Sequence, residues 1–193
     1  MEGEAPTMSA LAQLQQIWTF DDLQALPEDV DWRRYEIVDG ALIVSPAAAL
    51  RHEVVLAMVR DCLWDAARPE YLVVGSVAVD LDPSYLIPDF AVITDQRAHN
   101  DTNLLPATDV LLAGEVVSPG SRTMDRISKA ALYAAGGIPV YVRVETQPDV
   151  SLTLYELAPG ADVYTEVATW RRGEVARLST PFEVEIPIDS ITR

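Results

Sequence analysis

Apolar and polar positions change rhythm along the chain, and each change marks an element. Residues 19–26 (TFDDLQAL) read as a short helix that Thr19 can cap. Asp21 and Asp22 suit its positive end, and Pro27 stops it. The runs YEIV and ALIV flank Asp39-Gly40, a favoured two-residue hairpin turn. Over residues 47–67, Val54, Val55, Met58, Val59, Cys62 and Leu63 recur at helical spacing. Residues 71–81 predict one strand, and a turn follows at Asp82-Pro83-Ser84. Residues 86–94 predict a second strand and 109–117 a third, separated by a polar loop over 98–108. A helix from about Arg122 to Ala135 ends at Gly136-Gly137, and an apolar strand follows from Pro139. Beyond Val150 the pattern is all β, with strands in SLTLYELA, VYTEVATW, GEVARLS and FEVEIPI.

Composition narrows the class. At 193 residues and 49% hydrophobic, the chain fits one domain with a sizeable core, over residues 19–193. Residues 1–18 carry no pattern of a signal peptide and are expected to be partly disordered. No apolar run reaches the ~18 residues that span a bilayer, so no membrane association and a cytoplasmic location are expected. Cys62 is the only cysteine, which excludes an internal disulfide and a cysteine-cluster metal site. A net charge of −16 works against nucleic-acid binding, because phosphate neutralisation drives it. Local patches would have to compensate, with Arg33-Arg34, Arg122 with Arg126, and Arg171-Arg172 as candidates.

Two acids stand where carboxylates are costly. Glu115 interrupts LLAGEVV, and Asp89 interrupts LIPDFAVI. A buried charge persists only when it is paired or binds a metal. Two strand-borne carboxylates suit a hard divalent ion, Mg²⁺ or Mn²⁺. The alternatives are turn chemistry for Asp89 and an arginine partner for Glu115. Lys129 is the only lysine among fourteen basic residues, which suggests a need for a compact ammonium. Asp125, four residues before it, either positions it or makes a solvated pair with it on an exposed helix face. Glu36 is either a solvent-facing strand residue or a third acid. His52 is either a surface or capping histidine or a phosphate contact. Ser118 and the backbone amides of Ser121 and Arg122, at the helix start, are placed to bind a phosphate.

The motifs PDFAVI, EVVSPGSR, Asp125 to Lys129 (D-x-x-x-K) and YAAGGIPVYV, in that order, resemble the Uma-type putative restriction endonuclease family. That family is a branch of the PD-(D/E)xK restriction-endonuclease-like superfamily. YEIVDGALIVSP followed by His52 looks like its N-terminal portion, so the resemblance runs over roughly residues 19–150. It implies an α/β (α+β) fold, a mixed β-sheet flanked by helices, here with an all-β C-terminal extension. It implies Asp89, Glu115 and Lys129 as catalytic residues, and metal ligands Asp89, Glu115 and the Val116 carbonyl. Glu36 would be the third acid that some relatives supply. The superfamily lysine stands two residues after the glutamate, where this chain has Val117, so Lys129 would replace it from the next helix. The implied activity is metal-dependent hydrolysis of nucleic acid, DNA as the expected substrate, with homodimers plausible by resemblance. A catalytically inactive nuclease fold acting as a binding or regulatory module, and a plain oligomeric structural domain, stay open as alternatives.

Overall fold

The structure, a computed structural model, describes residues 17–26, 34–97, 103–117 and 128–192. Helix α1 (Phe20–Gln24) starts on a capping box: the Thr19 side chain accepts from the Asp22 N–H, and Asp22 reaches back to the Thr19 N–H. Strands β1 (Arg34–Val38) and β2 (Ala41–Ser45) form the expected hairpin, with Asp39 and Gly40 both at positive φ. Helix α2 spans Leu50–Ala66.

The stretch 71–81 is two strands rather than one. Strand β3 (Tyr71–Val74) belongs to one sheet and β4 (Ala78–Leu81) to another. The break falls at Gly75-Ser76, where Ser76 has a φ of 61°. A Cβ on Gly75 would lie 2.8 Å from the Asp89 carbonyl oxygen, so only glycine lets the chain pass there. Residues 86–94 also divide. Strand β5 (Ser84–Leu86) ends before Pro88, and β6 (Phe90–Thr94) begins after Asp89. Asp89 therefore sits at the bend between two sheets rather than inside a strand. The expected loop contains strand β7 (Leu104–Pro106), parallel to β4, and a short 3₁₀ turn. Strand β8 (Val110–Val117), helix α3 (Lys129–Ala135) and strand β9 (Val140–Glu145) follow, with β8 and β9 parallel. The tail supplies β10 (Ser151–Glu156), β11 (Thr165–Arg171), β12 (Val175–Leu178) and β13 (Val184–Pro187).

Strands order as β2-β1-β5-β4-β7 in one mixed sheet and β11-β10-β9-β8-β6-β3 in the other. The tail thus extends the larger sheet by two strands, while β12 and β13 pair separately. One core lies between α2 and the larger sheet. It gathers Val55, Val59 and Leu63 against Val92, Leu112 and Val142, and is closed by Leu178, Ile186 and Ile191. A second core lies on the sheet's other face, where Ala91, Ala113 and Tyr141 meet Val79, Leu86 and Leu105 of the smaller sheet and Tyr133 of α3. Strand β8 is covered on both faces, which explains its unbroken apolar run. Among the described residues no helix is long and apolar enough to cross a membrane.

Gly114 has a steric reason. Phe90 is its cross-strand partner, and a Cβ on Gly114 would lie 2.0 Å from the Phe90 ring. Phe90 is fully buried, so its ring can yield only by moving other core side chains. Gly114→Ala is expected to cost about 1–3 kcal/mol by overpacking. A shift of the urea midpoint at unchanged slope would register this; an unchanged midpoint would refute the packing account.

Candidate active site

The carboxylates Glu36, Asp89 and Glu115 lie between the two larger sheets, each under 5% exposed. Phe90 stands opposite Gly114, so Asp89, one residue before β6, comes close to the Glu115–Val116 end of β8. The backbone confirms their nearness: the N–H of Val116 donates to Asp89 Oδ2 at 2.8 Å. Glu36 arrives from β1 on the facing sheet, where its Oε1 accepts from the Ile87 N–H at 2.8 Å.

Lys129, at the start of α3, links the two sheets. Its Nζ lies 2.9 Å from Glu36 Oε1 and 3.1 Å from Glu115 Oε1. Glu115 Oε1 also accepts from the Tyr133 hydroxyl at 2.7 Å. Tyr133 is one helical turn beyond Lys129, so both side chains leave α3 on one face. Burial, then the charges of Glu115 and Glu36, push the Tyr133 phenol well up, so it stays protonated and donates.

Asp89 is held by three donors. Arg34 Nη1 donates to Oδ1 at 2.7 Å, while Val116 N–H and His52 Nε2 meet Oδ2, the latter at 3.1 Å. Burial alone would raise this carboxyl. The His52 hydrogen bond, the Arg34 charge and the Val116 N–H outweigh it and hold the group well below the usual carboxylate range. His52 faces a second carboxylate, Glu53 Oε1, at 3.2 Å from Nδ1. A neutral imidazole has one donor, so two carboxylate neighbours favour the imidazolium. Burial opposes that charge, but the bond to Asp89 and the charges of Asp89 and Glu53 prevail and raise the pKa.

These shifts predict a pH profile for stability in metal-free buffer. The depressed Asp89 carboxyl stabilises above its unfolded value, near 3.8, and that share is lost as pH falls below it. The raised His52 stabilises fully below its unfolded value, near 6.5, and that share is lost as pH rises through the folded one. Stability measured by denaturation should therefore decline from pH 6.5 upward, and His52→Gln should flatten that limb. An equally steep limb in the variant would remove His52 as its source.

Several sequence expectations are corrected by burial. Glu36 is not a solvent-facing residue: β1 is covered on both faces, and Ile37 is buried as well. His52 is not a surface histidine, and Lys129, at 2% exposed, is not on an exposed helix face. Among the described residues Glu115 has the Lys129 ammonium and the Tyr133 hydroxyl as hydrogen-bonding neighbours. Asp125, Ser118, Ser121 and Arg122 lie outside the described residues. Two site residues were missed. Arg34 was read only as part of a basic patch, yet it is two residues from Glu36 and so on the same strand face. Tyr133 enters the sequence reading only as the first residue of YAAGGIPVYV, though its spacing of four places it on the lysine's face.

Buried carboxylate oxygens suit a hard divalent cation by their chemistry. Among the described residues, however, no three acid, histidine or cysteine side chains converge on one point. Lys129, Arg34 and His52 take the places around them. A metal bound between Asp89 and Glu115 would therefore enter by displacing part of this cationic set.

A crystal structure of "a putative nuclease belonging to DUF820" from Anabaena variabilis ATCC 29413 is similar, with a TM-score of 0.68 at 15% identity. The match covers 90% of this chain and 97% of that one, and it shows a shared restriction-endonuclease-like fold. A search of curated proteins finds no match. The model of the Uma2 family, "Putative restriction endonuclease", matches residues 20–189, a span that includes every buried acid and cation described above. The chain belongs to the Uma2 family of restriction-endonuclease-like proteins.

Proposed function

We propose that the protein is a divalent-metal-dependent nuclease that hydrolyses phosphodiester bonds, with DNA as the expected substrate. The observation that carries this is that Asp89 and Glu115 are both buried, with Asp89 bonded to the Val116 N–H next to Glu115 and the Lys129 ammonium against Glu115. Restriction-endonuclease-like families usually work with divalent metal ions. Asp89, Glu115 and the Val116 carbonyl are the residues that would hold Mg²⁺ or Mn²⁺. Such an ion, when bound, polarises the phosphate and lowers the pKa of a water.

The chain's own groups have separable tasks. Glu36 and Glu115 orient the Lys129 ammonium, which faces the negative charge that develops on the phosphate. Tyr133 fixes the rotamer of Glu115 through its Oε1. Arg34 and His52 hold Asp89 ionised, so it offers oxygen lone pairs rather than a proton. Ser118, Ser121 and Arg122 remain candidates for a phosphate contact, and Asp125 for positioning Lys129.

A second reading has its own support: every carboxylate of the site already carries a cationic or hydrogen-bonding neighbour, and the net charge is −16. Those features suit an inactive nuclease fold that serves as a binding or regulatory module. Supercoiled plasmid and single-stranded DNA, incubated with Mg²⁺ or Mn²⁺ at low salt, decide between them. Metal-dependent cleavage, absent from Asp89→Ala and Lys129→Ala, supports the nuclease. No cleavage, with metal binding retained in calorimetry, supports the module.

A further inference from the structure

A groove on the outer flank of α2 is separate from the carboxylate site. It has a volume of about 360 Å³ and is lined by Ala57, Arg60, Asp61, Trp64 and Val73. That size lies in the range of pockets for small organic groups. Trp64 is 59% exposed, an unusual position for the largest apolar side chain. Arg60, one turn earlier on the same face, is half-buried and makes no hydrogen bond or ion pair with any described residue. Its side chain leans back towards the helix start, as helical side chains do. It reaches Gly75: a Cβ there would lie 3.4 Å from Arg60 Nη1 and 2.8 Å from the Asp89 carbonyl. The guanidinium and the Asp89 backbone thus flank one glycine, and the groove opens beside the site.

We propose that this groove binds an unpaired nucleotide of the strand being cleaved, the base stacked on Trp64 and a phosphate held by Arg60. The inference rests on the nuclease reading for its strand, and it names the form of the substrate. An exposed indole beside a guanidinium with no partner among the described residues is the pairing that single-strand binders use, stacking for the base and charge for the backbone. Stacking on Trp64 needs a base face that a duplex hides, and Asp61 in the groove adds an acceptor for an exocyclic amine. Trp64 lies twelve residues along α2 from His52, about 18 Å, or on the order of five stacked steps of one strand.

Binding of short fluorescein-labelled oligodeoxynucleotides of mixed sequence, single-stranded and duplex, is read by anisotropy at low salt with EDTA. Wild type is expected to bind the single strand more tightly than the duplex. Trp64→Ala should weaken single-strand binding by about tenfold or more, and Trp64→Phe should keep most of it. Arg60→Gln should lower the salt slope of the single-strand affinity by about 0.7, one phosphate contact. Unchanged affinity in Trp64→Ala, no single-strand binding by wild type, or equal Trp64 dependence for the duplex would each overturn the groove assignment. All three substitutions are outside the hydrophobic cores, and unchanged melting temperatures separate lost contact from lost fold. Trp64-dependent binding without metal-dependent cleavage would leave the groove standing and the nuclease reading fallen. Cleavage by wild type with Trp64→Ala binding normally would do the reverse.

Discussion

Lys129→Met is expected to lower stability by roughly 3–5 kcal/mol in metal-free buffer and, on the proposed nuclease function, to abolish metal-dependent cleavage. The size follows from what the lysine separates. Its ammonium lies within 3.1 Å of two carboxylates, and all three groups are almost completely buried. Removing one partner of a buried ionic cluster leaves charge that water cannot reach and the remaining neighbours compensate only in part. Glu36 keeps the Ile87 N–H and Glu115 keeps the Tyr133 hydroxyl, but two negative charges then face each other across the sheets. For a chain of this length the loss corresponds to roughly 10 °C in melting temperature. Lys129→Arg should not rescue activity, because a planar guanidinium cannot place one compact charge between two carboxylates set by opposite sheets. Denaturant midpoints and plasmid nicking measure the two effects separately. Wild-type stability in Lys129→Met would mean that the ammonium is not buried between those acids.

Asp89→Asn is expected to cost about as much, for a different reason. Three donors converge on the two oxygens of Asp89, from Arg34, His52 and the Val116 backbone. An amide offers one oxygen and turns the other position into a donor, so one hydrogen bond becomes a donor–donor contact. The Arg34 and His52 charges also lose their nearest counter-charge, a loss of about 3–5 kcal/mol by the same logic of a broken buried pair. His52 carries a distinct readout. Its raised pKa depends chiefly on Asp89 against the opposing effect of burial, so its imidazole titration should move down in Asp89→Asn. NMR of the two histidines would follow this directly. Cleavage should vanish, since the amide cannot supply a carboxylate to a metal. A His52 titration unmoved by the substitution would break the proposed coupling.

Both variants remove a charge from a site that is balanced internally. Glu36, Asp89 and Glu115 face Lys129, Arg34 and His52, whose pKa is raised by Asp89 and Glu53. That balance lets three acids stay buried in a protein with a net charge of −16. It also sets the entry cost for any divalent ion, which must replace cations already seated there.

Much of this was legible along the chain because the signals are local. Asp39-Gly40 demands a tight turn whatever surrounds it, and the hairpin is there. The helical spacing over α2 and the capping residues of α1 act within one or two turns. Glu115 stood out because seven apolar or small neighbours announce burial on both faces of β8. The single strand expected over residues 71–81 failed because its alternation is continuous, while the break depends on Gly75 passing against Asp89. No local pattern encodes that approach.

By itself the sequence determined the elements, the turns, the family resemblance and the anomaly of two acids in apolar runs. These depend on neighbours within a few residues, where periodicity and turn stereochemistry act. The tertiary structure alone decided who meets whom. Alternation placed Glu36 opposite Ile37 but could not say that a second sheet covers both faces of β1. Arg34 and His52 find Asp89 across 55 and 37 residues, and Tyr133 finds Glu115 across 18. Such pairings arise from sheet register and layer packing, which set the burial that makes each charge costly and each partner necessary.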